Sequence, residues 1–255
     1  MTPRCWEPFR GHYETAGYRV LTPPWPGLKG EVEDVRRDPS GLAGIGVMEI
    51  ANHYDTFVRD LGEAPILMGH SFGGLIVQLL LDRGLGAAGV AIDSAPPKGI
   101  LRLPWSAIKA SSPVLANPAN FHRTVALSFE QFCYGFANVL PKDAAREAYE
   151  THAIPGPGRP IFQAALANFN PWAVTKVNYL NPNRAPVLLI AGAEDHQVPA
   201  SVNRENYQKY ARSKAVTAFK EFPGRCHFII GQKGWEEVAG YALSWTKEQT
   251  AVDVR

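Results

Sequence analysis

Apolar residues along this chain recur in two alternating rhythms. Trp6, Phe9 and Tyr13 share one face at helical spacing, and Gly17 then leads into a short extended run over residues 18–21. That run ends in Pro23, Pro24, Trp25, Pro26 and Gly27, so the order predicted is helix, strand, loop. Ile50, Tyr54, Phe57, Val58 and Leu61 form a second helical stripe, which Gly62 closes before an apolar strand-like run over residues 65–69. A helix over 75–81 stops at Arg83 and Gly84, and the short apolar run 90–92 reads as a buried strand leading into a Ser94, Ala95, Pro96, Pro97 loop. The alternation returns late in the chain, with a strand over 186–190, a helix over about 201–212 and a strand over 216–222. A last helix carries Trp235, Val238, Ala242 and Trp245 on one stripe. Strands alternating with helices imply an α/β fold, a mostly parallel sheet flanked by helices.

Between residues 96 and 171 that alternation breaks down. Helical patches rich in aromatics, among them Trp105, Phe121, Phe132, Phe136 and Phe162, replace it, with Pro155, Gly156, Pro157 and Gly158 as a loop. We read residues 96–171 as a helical cap inserted into a core made of residues 1–95 and 172–255.

Charge narrows the choice of function. Lysine plus arginine number 26 against 24 acids, too even a balance for an electrostatic hold on nucleic acid or an anionic membrane as the main task. Cys5, Cys133 and Cys226 are scattered, without the paired spacing of a disulfide framework or a zinc site. The first residues lack the apolar run of a secretory signal, so the expectation is a cytoplasmic protein. The most apolar stretch, 64–81, is interrupted by His70, Ser71, Gln78 and three glycines, which fits a strand, turn and buried helix better than a membrane span.

The chemistry is concentrated at Gly69, His70, Ser71, Phe72, Gly73 and Gly74, a Gly-x-Ser-x-Gly pattern set between an apolar strand and an apolar helix. A turn so tight strains the serine backbone, and side chains at 69 and 73 are expected to collide across it. Ser71 is then the candidate nucleophile, and the N–H of Phe72, at the helix start, the candidate oxyanion donor. A serine hydroxyl needs a histidine base and a carboxylate to orient that base. His227 is placed best, after the strand 216–222 and the Pro223-Gly224 turn and before the last helix. Asp195 follows the strand at 186–190, where an open α/β sheet puts its site; Asp93, at the end of another strand, is the rival, with structural hydrogen bonding as its expected role. Gly84, Gly86 and Gly89 imitate a dinucleotide fingerprint, but they follow a helix and precede a strand, the reverse of the required order. Nothing in the sequence calls for a cofactor or a metal.

Through these motifs, together with Gly192 to Pro199 and Gly224 to Phe228, the chain resembles the α/β-hydrolase family, in particular its small bacterial serine esterases. The resemblance implies Ser71 as nucleophile, Asp195 as acid, His227 as base, Phe72 N–H as oxyanion donor and a cap over an acyl pocket. A small-molecule ester is the implied partner, cleaved through an acyl-enzyme. Lactone hydrolysis or perhydrolysis by the same residues, and a catalytically impaired member that binds a ligand or protein, are the alternatives. The chain departs from the family at its front: members carry a central strand ending in His-Gly before the helix that here holds Trp6 and Phe9. The expectation is therefore that Met1 is an internal methionine and that the missing strand lies upstream.

Overall fold

The computed structural model describes residues 1–250; residues 251–255, the end of the segment assigned to the core, lie outside the described residues. A 3₁₀ turn at Pro3–Trp6 runs into helix α1 (Glu7–Thr15), followed by α2 (Val32–Arg37) and α3 (Val47–Asp60). Strand β1 (Ile66–His70), helix α4 (Phe72–Asp82) and strand β2 (Ala88–Ile92) come next. The insertion holds α5 (Trp105–Leu115), β3 (Thr124–Val125), α6 (Phe129–Gly135), α7 (Lys142–His152), β4 (Gly156–Pro157) and α8 (Arg159–Ala165). The core closes with β5 (Val187–Gly192), α9 (Ala200–Lys209), β6 (Thr217–Phe222) and α10 (Trp235–Thr250).

The main sheet has the order β1-β2-β5-β6 and is parallel throughout. Because strand side chains alternate, the sheet feeds two cores. Val90, Ile92, Leu188 and Ile190 face α1 and α10, meeting Phe9, Val238 and Ala242. Ala91, Val187 and Leu189 face the other way, toward Ile50 of α3 and Leu75 and Leu79 of α4. A strand covered on both sides reads as an unbroken apolar run, which is why β5 shows no polar alternation. Among the described residues no helix is long and apolar enough to cross a membrane.

Two features of this frame position the site. The parallel order brings the carboxyl ends of β1, β2 and β5 side by side, where Ser71, Asp93 and Asp195 follow them. Within the insertion, Phe132 of α6 and Ala145 and Ala148 of α7 pack onto Cys226 and Phe228, so the cap is anchored on either side of His227.

Three expectations change. Residues 18–21 are irregular rather than a strand, with no sheet partner to turn an extended run into one. Helix α2 has only Val32 and Val35 as buried contacts, too short a stripe for periodicity to detect, and is held by a capping box between Glu31 and Asp34. Gly156 and Pro157, read as loop, pair antiparallel with Val125 and Thr124.

On one side β1 pairs with β2; among the described residues its other edge has no strand. Pro65 C=O and Ser71 N–H point to β2, so by strand alternation the backbone groups of Ile66, Met68 and His70 point to the free edge. Along that edge lies a cavity of about 1090 Å³ that extends to Ser71.

Candidate active site

Ser71 sits between β1 and α4 with φ 56 and ψ −121, a positive φ that a residue with a Cβ adopts at a cost. Gly69 is what lets the turn close: a Cβ there would stand 2.1 Å from Gly73 O. Gly73 is different. A Cβ at 73 meets nothing within 4 Å, and the residue lines the cavity instead, so the expected collision belongs to Gly69, and a Cβ at Gly74 would stand 2.8 Å from Ser94 Cβ.

The three side chains singled out by sequence form one hydrogen-bonded row. Ser71 Oγ is 3.0 Å from His227 Nε2, and His227 Nδ1 is 2.6 Å from Asp195 Oδ2. Nδ1–H therefore donates to the carboxylate, which leaves Nε2 free to accept the serine proton. Asp195 is fixed in turn, its Oδ1 accepting the N–H groups of Gln197 at 2.7 Å and Val198 at 2.8 Å. Both the imidazole and the carboxylate are fully buried, so no water competes for the bond between them. Phe72 opens α4, and its N–H has no acceptor within the helix, as the first turn of any helix leaves.

Neighbours hold the base in place. The His70 ring donates from Nε2 to the carbonyl of His227 at 2.7 Å; burial, then the neighbouring His227, pushes its pKa well below the usual value. Phe136 of the cap lies edge-on to the His227 ring at 4.8 Å, and its carbonyl accepts the N–H of Phe228 at 2.9 Å. Sequence reading placed Phe136 in the cap without linking it to the base, and no local pattern could have done so. Glu194 is exposed, as expected of a bystander. Of the remaining histidines, His12, His152 and His196 are half-buried, His53 and His122 are exposed, and His196, although next to Asp195 in the chain, bonds the carbonyl of Tyr134 at 3.0 Å.

Asp93 carries more than a hydrogen bond. It follows β2 with φ 43, is fully buried, and accepts Gly192 N–H at 2.7 Å through Oδ1. Its other oxygen has no donor and faces Asp195. Burial, then the Asp195 charge, holds the Asp93 carboxyl well above the ordinary carboxylate range. One atom each from His70, Asp93 and His227 falls within 4.8 Å of the others, a spacing a cation could use. Both His227 nitrogens, His70 Nε2 and Asp93 Oδ1 are already engaged, however, so these residues fit a hydrogen-bond network better than a ligand set.

The raised Asp93 carboxyl has a measurable consequence. A carboxyl whose native pKa is raised takes up a proton on folding, so its contribution is intact below the unfolded value near 3.9 and is lost as pH rises toward the native value. Asp93→Asn keeps an acceptor for Gly192 N–H and removes the titrating group. Above about pH 4 the variant gains on the wild type by about 1.4 kcal/mol per pH unit until the native pKa is reached. Urea midpoints at several pH values measure this, and a difference that does not grow with pH would refute the raised carboxyl.

A parallel sheet flanked by helices, a helical insertion and a serine on a strained strand-to-helix corner together define the α/β-hydrolase class. The chain belongs to the alpha/beta hydrolase family, whose model matches residues 1–240. None of the curated protein sequences matches this chain. Among solved structures it is similar to the monoacylglycerol lipase of Paleococcus ferrophilus, at 22% identity and a TM-score of 0.62, over 96% of this chain and 89% of that one. An esterase from Exiguobacterium antarcticum aligns at 15% identity and a TM-score of 0.67, over 96% and 88%. A pyrethroid hydrolase from Sphingobium faniae aligns at 17% identity and a TM-score of 0.62, over 96% and 93%. At these identities the likeness is one of fold.

Proposed function

We propose that this protein hydrolyses carboxylic esters through an acyl-enzyme. The observation that carries the reading is the Ser71–His227–Asp195 row, 3.0 and 2.6 Å long, opening from the strained corner into a largely apolar cavity. His227 Nε2 takes the Ser71 proton as Oγ attacks the ester carbonyl carbon, and Phe72 N–H donates to the oxyanion. The intermediate then expels the alcohol, which takes the proton from His227. Water, deprotonated by the same nitrogen, attacks the acyl-serine and releases the acid. Asp195 keeps Nδ1 protonated throughout and balances the imidazolium. The cavity favours uncharged substrates of small to medium acyl length, and the similar structures named above are a monoacylglycerol lipase, an esterase and a pyrethroid hydrolase. Free thiols at Cys5, Cys133 and Cys226 suit a cytoplasmic setting.

The free edge of β1 belongs to the same proposal. A strand ending in His-Gly, of the kind the family resemblance leads one to expect, would pair with Ile66, Met68 and His70 and bring a second oxyanion N–H beside Phe72. The test uses a chromogenic short-chain ester and a serine-directed fluorophosphonate, with the modified residue located by mass spectrometry. Turnover and phosphonylation of Ser71 are expected. A form carrying a fused N-terminal strand that ends in His-Gly is expected to turn over about 10²–10³-fold faster, the usual worth of one oxyanion donor. Neither turnover nor labelling in either form would leave the ligand-binding alternative standing. Equal rates and stabilities in the two forms would remove the extra strand.

A further inference from the structure

The overall balance of 26 cations and 24 acids conceals a segregation. Residues 94–129 and 151–193 carry seven lysines and arginines and no aspartate or glutamate. The four acids of the cap, Glu130, Asp143, Glu147 and Glu150, all lie on α6 and α7. The other half of the cap, built from α5, α8 and the segments beside them, has no acid of its own, although Arg159 is paired with Glu49 and Arg184 is buried.

That same half exposes its largest apolar side chains. Phe169 and Trp172 are each 85% exposed and Trp105 is 74% exposed, with Leu101, Leu103 and Leu166 beside them in the chain. Hydrogen bonds join the two segments into one face. Gly99 N–H donates to Asn168 Oδ1 at 2.8 Å, Asn168 Nδ2 to Ile100 O at 2.7 Å, and Lys98 Nζ to Asn170 O at 2.6 Å. Arg102, Lys109 and Lys176 are exposed on these segments. Three acids from the core reach these segments, each held by a partner: Glu205 of α9 accepts the N–H groups of Leu101 and Arg102 and lies 3.9 Å from Lys209, Asp82 accepts Asn178 N–H and Asn181 Nδ2, and Glu49 lies 2.7 Å from Arg159.

Contiguous exposed apolar surface of this kind marks an interaction site. Aromatic side chains ringed by lysine and arginine suit the boundary of an anionic bilayer, where rings sit at headgroup depth and cations meet lipid phosphates. A second copy of the same face would instead bring like charges together. We propose that this face docks the protein on anionic lipid. The geometry gives the docking a purpose. Helix α5 starts at Trp105 and lines the cavity with Ala110 and Val114, and α8 lines it with Pro160 and Ile161 before the chain reaches Leu166. Docking therefore sets the cavity-lining helices against the phase in which apolar esters dissolve. It requires no turnover, and so stands or falls apart from the ester reading.

The test is flotation with vesicles of equimolar phosphatidylglycerol and phosphatidylcholine at low salt, against vesicles of phosphatidylcholine alone. The protein is expected to float with the anionic vesicles, with a blue shift of tryptophan fluorescence, and to be released by salt. The triple variant Trp105→Ala, Phe169→Ala, Trp172→Ala is expected to lose at least about tenfold in partitioning while its circular dichroism is unchanged. Arg102→Glu with Lys176→Glu is expected to erase the preference for anionic vesicles. No flotation of the wild type, equal flotation on both lipids, or partitioning that survives both variants would overturn the proposal. So would a dimer in light scattering that the triple variant converts to monomer without any binding to vesicles.

Discussion

Ser71→Ala is expected to lower kcat/KM for a soluble ester by about 10⁴-fold or more, with stability changed by no more than about 0.5 kcal/mol. The methyl occupies the space of the Oγ-bearing carbon, and the only side-chain bond lost is the 3.0 Å contact to His227. A remnant above the uncatalysed rate should persist, because Phe72 N–H and the cavity are untouched. Ser71→Gly adds a second readout. Glycine accepts φ 56 without a Cβ clash, so this variant should be equally inactive yet more stable by about 1 kcal/mol. Steady-state kinetics with thermal melts measure both effects. Retained turnover in Ser71→Ala would sink the nucleophile assignment, and a destabilised Ser71→Gly would show that the corner stores no strain.

Asp195→Asn should cost about 10⁴-fold in kcat with the fold intact, and for a reason written in its hydrogen bonds. Oδ1 accepts two backbone N–H groups, from Gln197 and Val198, so an asparagine must put its carbonyl oxygen there. Its NH₂ then faces His227 Nδ1 and forces the proton onto Nε2, the nitrogen that has to accept from Ser71. Asp93 is badly placed to compensate, since one oxygen is held by Gly192 N–H and the other faces Asp195. A loss of less than about tenfold would transfer the acid's role to Asp93 and reverse this ordering of the two carboxyls.

Much of this site could be read from local pattern because it is built from local pattern. Gly69 to Gly74 between two apolar segments, and Asp195 and His227 each just past a strand, need only a strand count and a turn to be located. Asp93 could be placed at a strand end for the same reason. Its raised pKa could not, since that depends on β2 and β5 being neighbours, a pairing between residues far apart in the chain. The contact of Phe136 with the His227 ring is hidden for the same reason. Gly73 shows a motif position whose steric meaning differs from that of its partner: Gly69 is packed against backbone, whereas 73 faces open space. Residues 18–21 have strand-like composition, but composition cannot supply the partner strand that a sheet requires.

The Phe136 tether couples two events that are often separate. Its ring and carbonyl grip residues 227 and 228 together, so a swing of the cap wide enough to admit a bulky guest must also loosen the imidazole. Displacing Phe136 therefore reaches the imidazole without touching the serine or the acid.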